Sequence, residues 1–152
     1  CLGTLLPFAK HDRKEFAMMI HRTGDRPSQA PSSEYFTGKV RFDPVVSADD
    51  PSPVKMLSVT FEPGARTAWH THPAGQTLFI VSGMGLAGSE GKPVQVLRPG
   101  DTVWFAPGER HWHGASPDCA MTHLAVQTAV DGKTADWMEH VTEEDYNAGR
   151  AE

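Results

Sequence analysis

Short runs of alternating apolar and polar residues, separated by turns rich in Gly and Pro, recur through the middle of the chain. A period of two is typical of a half-buried β-strand, because successive side chains of a strand point to opposite faces. Many short strands at regular spacing indicate a β-sandwich or barrel. The pattern predicts strands at residues 36–42, 56–61, 67–72, 77–82, 86–87, 94–97, 102–105, 111–116 and 121–128.

Two of these strands differ in the burial that we expect. Residues 77–82 form a nearly continuous apolar run, which predicts a strand that is buried on both faces. Residues 121–128 alternate instead, and they place His123, Ala125 and Gln127 on one face. A histidine and a glutamine on an inward face suggest a pocket rather than a purely apolar core.

The chain has 152 residues, which suffices for one domain with a substantial core. We assign this domain to residues 19–148. Its last element is a short helix that begins after Thr142, an N-cap residue followed by three acidic residues, and ends before Gly149. Residues 1–18 do not share the pattern, and we expect an extension or cloning-derived residues outside the fold. A lipoprotein that begins at a lipidated Cys1 is the alternative.

Charge and cysteine content narrow the function classes. The net charge is −5 and there is no basic block, so we expect no nucleic acid partner. No apolar run approaches the roughly 20 residues of a membrane helix, so we expect no membrane partner either. Two isolated cysteines, Cys1 and Cys119, give no disulfide framework. We therefore expect a cytoplasmic protein.

Four side chains predict a metal site inside the barrel. His70 and His72 are separated by one residue and point to the same face of a strand. Gln76 follows after a Pro-Ala-Gly turn, so its amide oxygen can point at the same place. His111 supplies a fourth donor from a later segment. We expect these four residues to bind one divalent metal per chain.

The types of the four donors indicate the chemistry of this metal. Imidazole suits transition metals, and the absence of a nearby thiolate argues against a cysteine-rich structural zinc site. Four neutral ligands leave the full charge on the metal, which makes it a strong Lewis acid for an alkoxide oxygen. The donors do not fix the metal, and manganese, iron, nickel and zinc all remain candidates.

Two further histidines are candidates for proton transfer. His113 lies two residues beyond His111 and shares its inward face if both are on a strand. An imidazole with a pKa of about 6.5 can act as a base near neutral pH. His123 lies on the inward face of another strand. For both histidines the alternative is a hydrogen-bonded residue of the barrel wall.

The spacing of these residues resembles that of the cupin motifs. The pattern Gly64-x5-His70-x-His72-x3-Gln76-x6-Gly83 is similar to the first motif, with Gln76 where most cupins carry Glu. Residues 100–111 are similar to the second motif, although Ala106 stands at its usual proline position and Ala115 at its usual terminal Asn. The resemblance implies an all-β, single-domain cupin, which is a jelly-roll barrel or double-stranded β-helix.

A narrower resemblance covers nearly everything after about Met18. The segments 35–38, 67–73, 108–115, 121–125 and 136–142 are similar to the bacterial manganese-dependent cupin hydroxynitrile lyases. This resemblance implies cleavage and formation of α-hydroxynitriles such as mandelonitrile, with manganese as the metal and a homodimer or homotetramer as the assembly. It implies catalytic roles for His113 and His123. It also implies that a small-molecule substrate is bound by Leu57, Val59, Thr67 and Gln127.

Three other functions remain open at this stage. An iron-dependent dioxygenase would use a redox-active metal, and the lack of a carboxylate ligand argues mildly against it. A lyase or isomerase that acts on a sugar or keto acid would use the same Lewis acid chemistry. A binding or sensing cupin without catalysis would not need spare bases such as His113 and His123.

Overall fold

The structure is a computed structural model, and it describes residues 18–47 and 51–151. The expected N-terminal extension, residues 1–18, lies outside the described residues except for Met18, so the domain boundaries remain a prediction. The described chain folds into thirteen short strands and one helical turn. The strands are β1 (Phe36–Thr37), β2 (Val40–Val46), β3 (Val54–Phe61), β4 (Arg66–Thr67), β5 (His70–Thr71), β6 (Gln76–Gly83), β7 (Gly85–Ser89), β8 (Val94–Leu97), β9 (Thr102–Phe105), β10 (His111–Ala115), β11 (Met121–Thr128), β12 (Asp136–Trp137) and β13 (Arg150–Ala151).

The strands form two sheets that face each other. The first sheet has the order β2-β3-β11-β6-β9 and is antiparallel. The second sheet has the order β1-β4-β10-β7-β8-β13, and β5 joins it by pairing with β10 and β12. Neighbours that are distant in sequence pair in both sheets, as the predicted sandwich or barrel requires. The all-β prediction is therefore confirmed.

The core lies between the two sheets, where the inward residues of each strand meet. It contains fully buried apolar side chains from both halves of the chain, including Phe61, Leu78, Ile80 and Ala115. A second, smaller cluster lies under the C-terminal segment, where Trp112 packs with Leu86, Val94, Val141 and Tyr146. β10 therefore presents its histidines to one side and Trp112 to the other.

Two of the predicted strands are interrupted in the structure. The predicted strand 36–42 separates into β1 and β2 because Gly38 takes a positive φ of 80° and packs closely on Ala65. The predicted strand 67–72 separates into β4 and β5 at Trp69, whose backbone hydrogen-bonds with Met138 and Glu139 instead. Both interruptions come from contacts with distant residues, which the local alternation of side chains does not contain.

The prediction that residues 77–82 are buried on both faces is wrong. In β6 Leu78 and Ile80 are buried, but Phe79 and Val81 are 44% and 48% exposed. The run is apolar because the outer face of the first sheet also carries apolar side chains, including the 63% exposed Trp104 of β9. No other element of the described chain covers this face.

The C-terminal helix is confirmed, and it is short. Helix α1 covers Glu143–Tyr146, and the Thr142 side chain accepts a hydrogen bond from the Asp145 N–H, as expected of an N-cap residue. Tyr146 is buried and its hydroxyl donates to the carbonyl of Ala115, which follows the histidines of β10. Among the residues that the structure describes, no helix is long and apolar enough to cross a membrane.

Candidate metal centre

A cavity of about 200 Å³ lies between the two sheets. It collects polar residues that are far apart in sequence. All but one of the predicted site residues line it, namely Leu57, Val59, Thr67, His70, His72, Gln76, His113, His123 and Gln127. The remaining one, His111, is fully buried and contacts Gln76 from β10.

Strand pairing places the polar residues opposite one another. His70 of β5 is paired directly with His111 of β10 in the second sheet. Gln76 of β6 is paired directly with Gln127 of β11 in the first sheet. Because these positions face inward, one pair of histidines and one pair of glutamines meet across the cavity.

Backbone carbonyls fix the orientation of three imidazole rings. His70 donates from Nδ1 to the carbonyl oxygen of Ala68 at 3.0 Å, and His72 donates from Nδ1 to that of Thr134 at 2.6 Å. His111 does the same to Glu109 at 2.7 Å. Since a carbonyl only accepts, Nδ1 carries the proton in each neutral ring and Nε2 keeps its lone pair.

The amide of Gln76 adds an oxygen to these nitrogens. Its Oε1 lies 3.2 Å from Nε2 of His111, while its Nε2 donates to Oε1 of Gln127 at 3.1 Å. With Nδ1 of His111 protonated, the facing atoms of Gln76 and His111 are both lone-pair donors. Two acceptors at this distance repel each other unless a cation lies between them.

Two buried ring nitrogens without hydrogen-bond partners among the described residues also indicate a cation in this cavity. Nε2 of His72 and Nε2 of His113 are buried and have no hydrogen-bond partner among the described residues. A buried polar atom without a partner costs about 1–3 kcal/mol, and such atoms in a native structure require a ligand, water or ion to explain them. The donor set, with its aligned lone pairs, therefore fits a divalent cation.

The distances between ring nitrogens single out three histidines, and this set differs from the predicted histidine ligands in one member. One nitrogen from each of His70, His111 and His113 lies within 4.8 Å of the others. The sequence prediction has His72 in place of His113. The His72 ring is also close, with its centroid 5.0 Å from that of His70 and 5.4 Å from that of His111. The structure thus brings all four histidines to one place, and both sets share His70 and His111.

Burial keeps these histidines neutral. It lowers the pKa of His70 and of His72, and it lowers that of His111 to about 4. Loss of solvation disfavours the charged ring, and the neighbouring histidines act in the same direction for His70 and His111. At neutral pH these rings need not release a proton before they bind a cation.

His113 and His123 form a separate buried pair beside the cation site. Nδ1 of His113 lies 3.0 Å from Nε2 of His123, and both side chains are almost inaccessible to solvent. Burial lowers the pKa of His113, and it lowers that of His123 to about 4. Thr67 accepts a hydrogen bond from the backbone N–H of His113 through Oγ1, which fixes the strand at this point.

Aromatic and aliphatic side chains form the rest of the wall. The prediction from sequence did not place Trp137 here, yet its ring lies 4.6 Å from that of His70, with β12 paired to β5. It also did not place there five other residues of the wall, which are Phe36, Phe42, Phe61, Thr134 and Ala135. Ala125 lines the wall too, on the strand face that it was expected to share with His123 and Gln127. Trp137 belongs to a two-residue strand without periodicity, so only its place in the family resemblance pointed to it.

Three comparisons relate the chain to known proteins. The family profile described as "Cupin domain" matches residues 57–126. A protein named (R)-mandelonitrile lyase from Granulicella tundricola is 59% identical over 129 residues, which are 85% of this chain and 98% of that protein.

Solved structures give the same result for the fold. A cupin-like protein from Thermotoga maritima superposes with a TM-score of 0.76 and 39% identity, covering 85% of this chain and 98% of the other. A cupin-2 domain protein from Rhodospirillum rubrum superposes with a TM-score of 0.64 at 21% identity, covering 85% and 84%, and shows the fold alone. On these matches, and on the jelly-roll arrangement described above, the chain belongs to the cupin family.

Proposed function

We propose that this protein is a metal-dependent hydroxynitrile lyase, which cleaves an α-hydroxynitrile to an aldehyde or ketone plus cyanide and catalyses the reverse addition. The observation that carries the proposal is the buried Nε2 of His113, which has no hydrogen-bond partner among residues 18–47 and 51–151 and lines the cavity beside the cation site. The 59% identical relative named (R)-mandelonitrile lyase supports the same reaction.

His113 has the geometry of a general base. If its Nδ1–H donates to Nε2 of His123, its own Nε2 keeps a lone pair directed into the cavity. That lone pair takes the hydroxyl proton of the substrate as the carbon–oxygen double bond forms. The bond to the nitrile carbon breaks as that double bond forms, and its electron pair leaves with cyanide. Nε2 of His113 returns the proton to cyanide, so no net proton is gained or lost.

His70, His72, Gln76 and His111 would hold the metal. A divalent metal bound there supplies a Lewis acid, which lowers the pKa of a hydroxyl group beside it. This help matters for His113, because burial lowers the pKa of its ring and makes it a weaker base.

The apolar wall selects a small substrate with an apolar side chain. Leu57 and Val59 of β3 lie opposite Ala125 and His123 of β11, and Trp137 covers the other side. The cavity of about 200 Å³ is smaller than the roughly 300–1,000 Å³ typical of drug-sized ligands. An aryl or short alkyl group would pack on this wall, while the hydroxyl and nitrile groups face the histidines.

Finer parts of the proposal concern the metal, the assembly and the location. We propose manganese as the resident metal, a homodimer or homotetramer as the assembly, and the cytoplasm as the location. Metal analysis of protein purified without added metal tests the identity of the metal. Light scattering coupled to size-exclusion chromatography tests the assembly.

The function is tested by activity of protein loaded separately with manganese, iron, nickel and zinc. We expect cyanide release from mandelonitrile with manganese, and none after removal of the metal. Oxygen uptake by the iron-loaded protein in place of cyanide release would assign the site to a dioxygenase. Binding of one metal without either activity would favour a sugar or keto-acid enzyme, or a binding protein.

A further inference from the structure

Gln76 differs from the histidines of the site in one respect. An imidazole that donates from Nδ1 can present only Nε2, but an amide can present either of its two ends. The terminal torsion of glutamine is broad and roughly two-fold, so the hydrogen-bond partners of the amide decide which end faces which way. Only the oxygen end binds a cation, because the nitrogen end carries two protons and no lone pair.

One hydrogen bond decides this orientation in the structure. Nε2 of Gln76 donates to Oε1 of Gln127 at 3.1 Å, and Oε1 of Gln76 is therefore turned to Nε2 of His111. Both side chains are buried, with 5% and 9% of their surface exposed. While the oxygen of Gln127 faces Gln76, as it does in the structure, a flipped Gln76 amide would place its lone pair against that oxygen and leave a buried N–H pair facing the cation site.

The pairing of two strands brings these two glutamines together. Gln76 and Gln127 are directly paired across β6 and β11, on the inward face of the first sheet. Side chains at such paired positions lie about 4.5–5.5 Å apart at Cβ, which keeps the two amides within reach of each other.

We propose that Gln127 is a positioning residue that holds the Gln76 amide with its oxygen toward the metal-binding histidines. This inference rests on the metal site of the proposed function, but not on the reaction. A carboxylate at position 76 would not need such a partner, because its two ends are equivalent oxygens. The requirement for Gln127 is thus specific to a site that uses an amide.

The test is a double-mutant cycle on manganese affinity, measured by calorimetry on the full chain. We expect Gln127→Met, which keeps length but removes the acceptor, to weaken manganese binding by about 10- to 100-fold, as is usual for partners of metal ligands. In the Gln76→Glu background the same change should produce no measurable further loss. Gln95→Met, which alters an exposed glutamine of β8, is the matched control.

Two results would overturn the proposal. Wild-type affinity in Gln127→Met would show that the amide needs no partner. Equal losses in both backgrounds would show that Gln127 only packs the cavity wall. If Gln127→Met fails to fold, Gln127→Leu also lacks the acceptor and serves in its place. The protein could also lose manganese affinity on Gln127→Met only when Gln76 is present, and yet release no cyanide. That result would support this inference and reject the proposed reaction.

Discussion

Nδ1 of His113 and Nε2 of His123 lie 3.0 Å apart in the buried wall of the cavity. One of these nitrogens must donate to the other. A donor at Nδ1 of His113 leaves its Nε2 basic, whereas a donor at Nε2 of His123 leaves Nε2 of His113 protonated. His123 thus decides whether His113 can act as a base, in the way that a third group orients the base of a catalytic triad.

Substitutions of His123 should therefore show whether this residue orients the proton-accepting ring of His113. We expect His123→Leu to lower the turnover number for mandelonitrile cleavage, because Nδ1 of His113 loses its acceptor. His123→Gln, whose Oε1 can still accept, should retain more activity than the leucine variant. The comparison is made by stopped-flow cyanide detection at equal metal content. Equal turnover in His123→Leu and the wild type would remove His123 from the mechanism.

The ligand set makes a second prediction. In the described part of the chain, Nε2 of His72 is buried without a hydrogen-bond partner, and Nδ1 of His72 donates to the Thr134 carbonyl. We expect His72→Ala to lower metal affinity at least about 10-fold, since even a residue that only supports a ligand is worth that much. His113→Ala should keep its metal, and so should His140→Ala, whose exposed ring hydrogen-bonds with Thr37 outside the cavity.

Metal analysis of dialysed protein measures this difference. If His72→Ala retained its metal and His113→Ala lost it, the ligands would be His70, His111 and His113, whose ring nitrogens lie within 4.8 Å of one another. That outcome would also remove the proposed base from its role.

Packing behind the site gives a third prediction. Trp112 lies between His111 and His113 in β10, is 1% exposed, and occupies the space left by Gly88 of β7. A Cβ on Gly88 would lie 2.2 Å from the indole nitrogen. We expect Gly88→Ala to lower the free energy of unfolding by about 1–3 kcal/mol, as for other overpacked cores. It should also weaken metal binding, because the displaced strand carries both histidines.

Urea denaturation provides the measurement, with Gly149→Ala as the control. Apart from the neighbouring residues 148 and 150, no atom of the described chain lies within 4 Å of the Cβ that this control would add. An unfolding midpoint for Gly88→Ala equal to that of the wild type would mean that β10 adjusts to the added methyl group without cost.

The elements that the sequence predicts well are those whose signal is local. The alternation in β11 and at the end of β3 reports their burial directly, and the Thr142 cap with its acidic residues locates α1. The spacing of His70, His72, Gln76 and His111 was enough to predict their convergence. Apart from His111, which lies 35 residues beyond Gln76, these signals lie within a few residues of the feature that they indicate.

The features that the sequence did not predict depend on distant contacts. The break at Trp69 follows from pairing with residues 138 and 139, and Trp137 reaches His70 only because β12 pairs with β5. The outer face of β6 is apolar, so its composition alone predicts that this face is buried. In the described chain no other element covers it, and the face is exposed. The bond between Gln76 and Gln127 depends on the register of β6 against β11, which no local pattern contains.

The most direct test of the central claim is cyanide release from mandelonitrile by manganese-loaded protein, compared with His113→Ala and with metal-stripped protein. We predict release by the loaded wild type, none without metal, and a loss of about 10²-fold or more in His113→Ala at full metal content. Undiminished release by His113→Ala would contradict the assignment of the base. No release by the loaded wild type would contradict the lyase function itself.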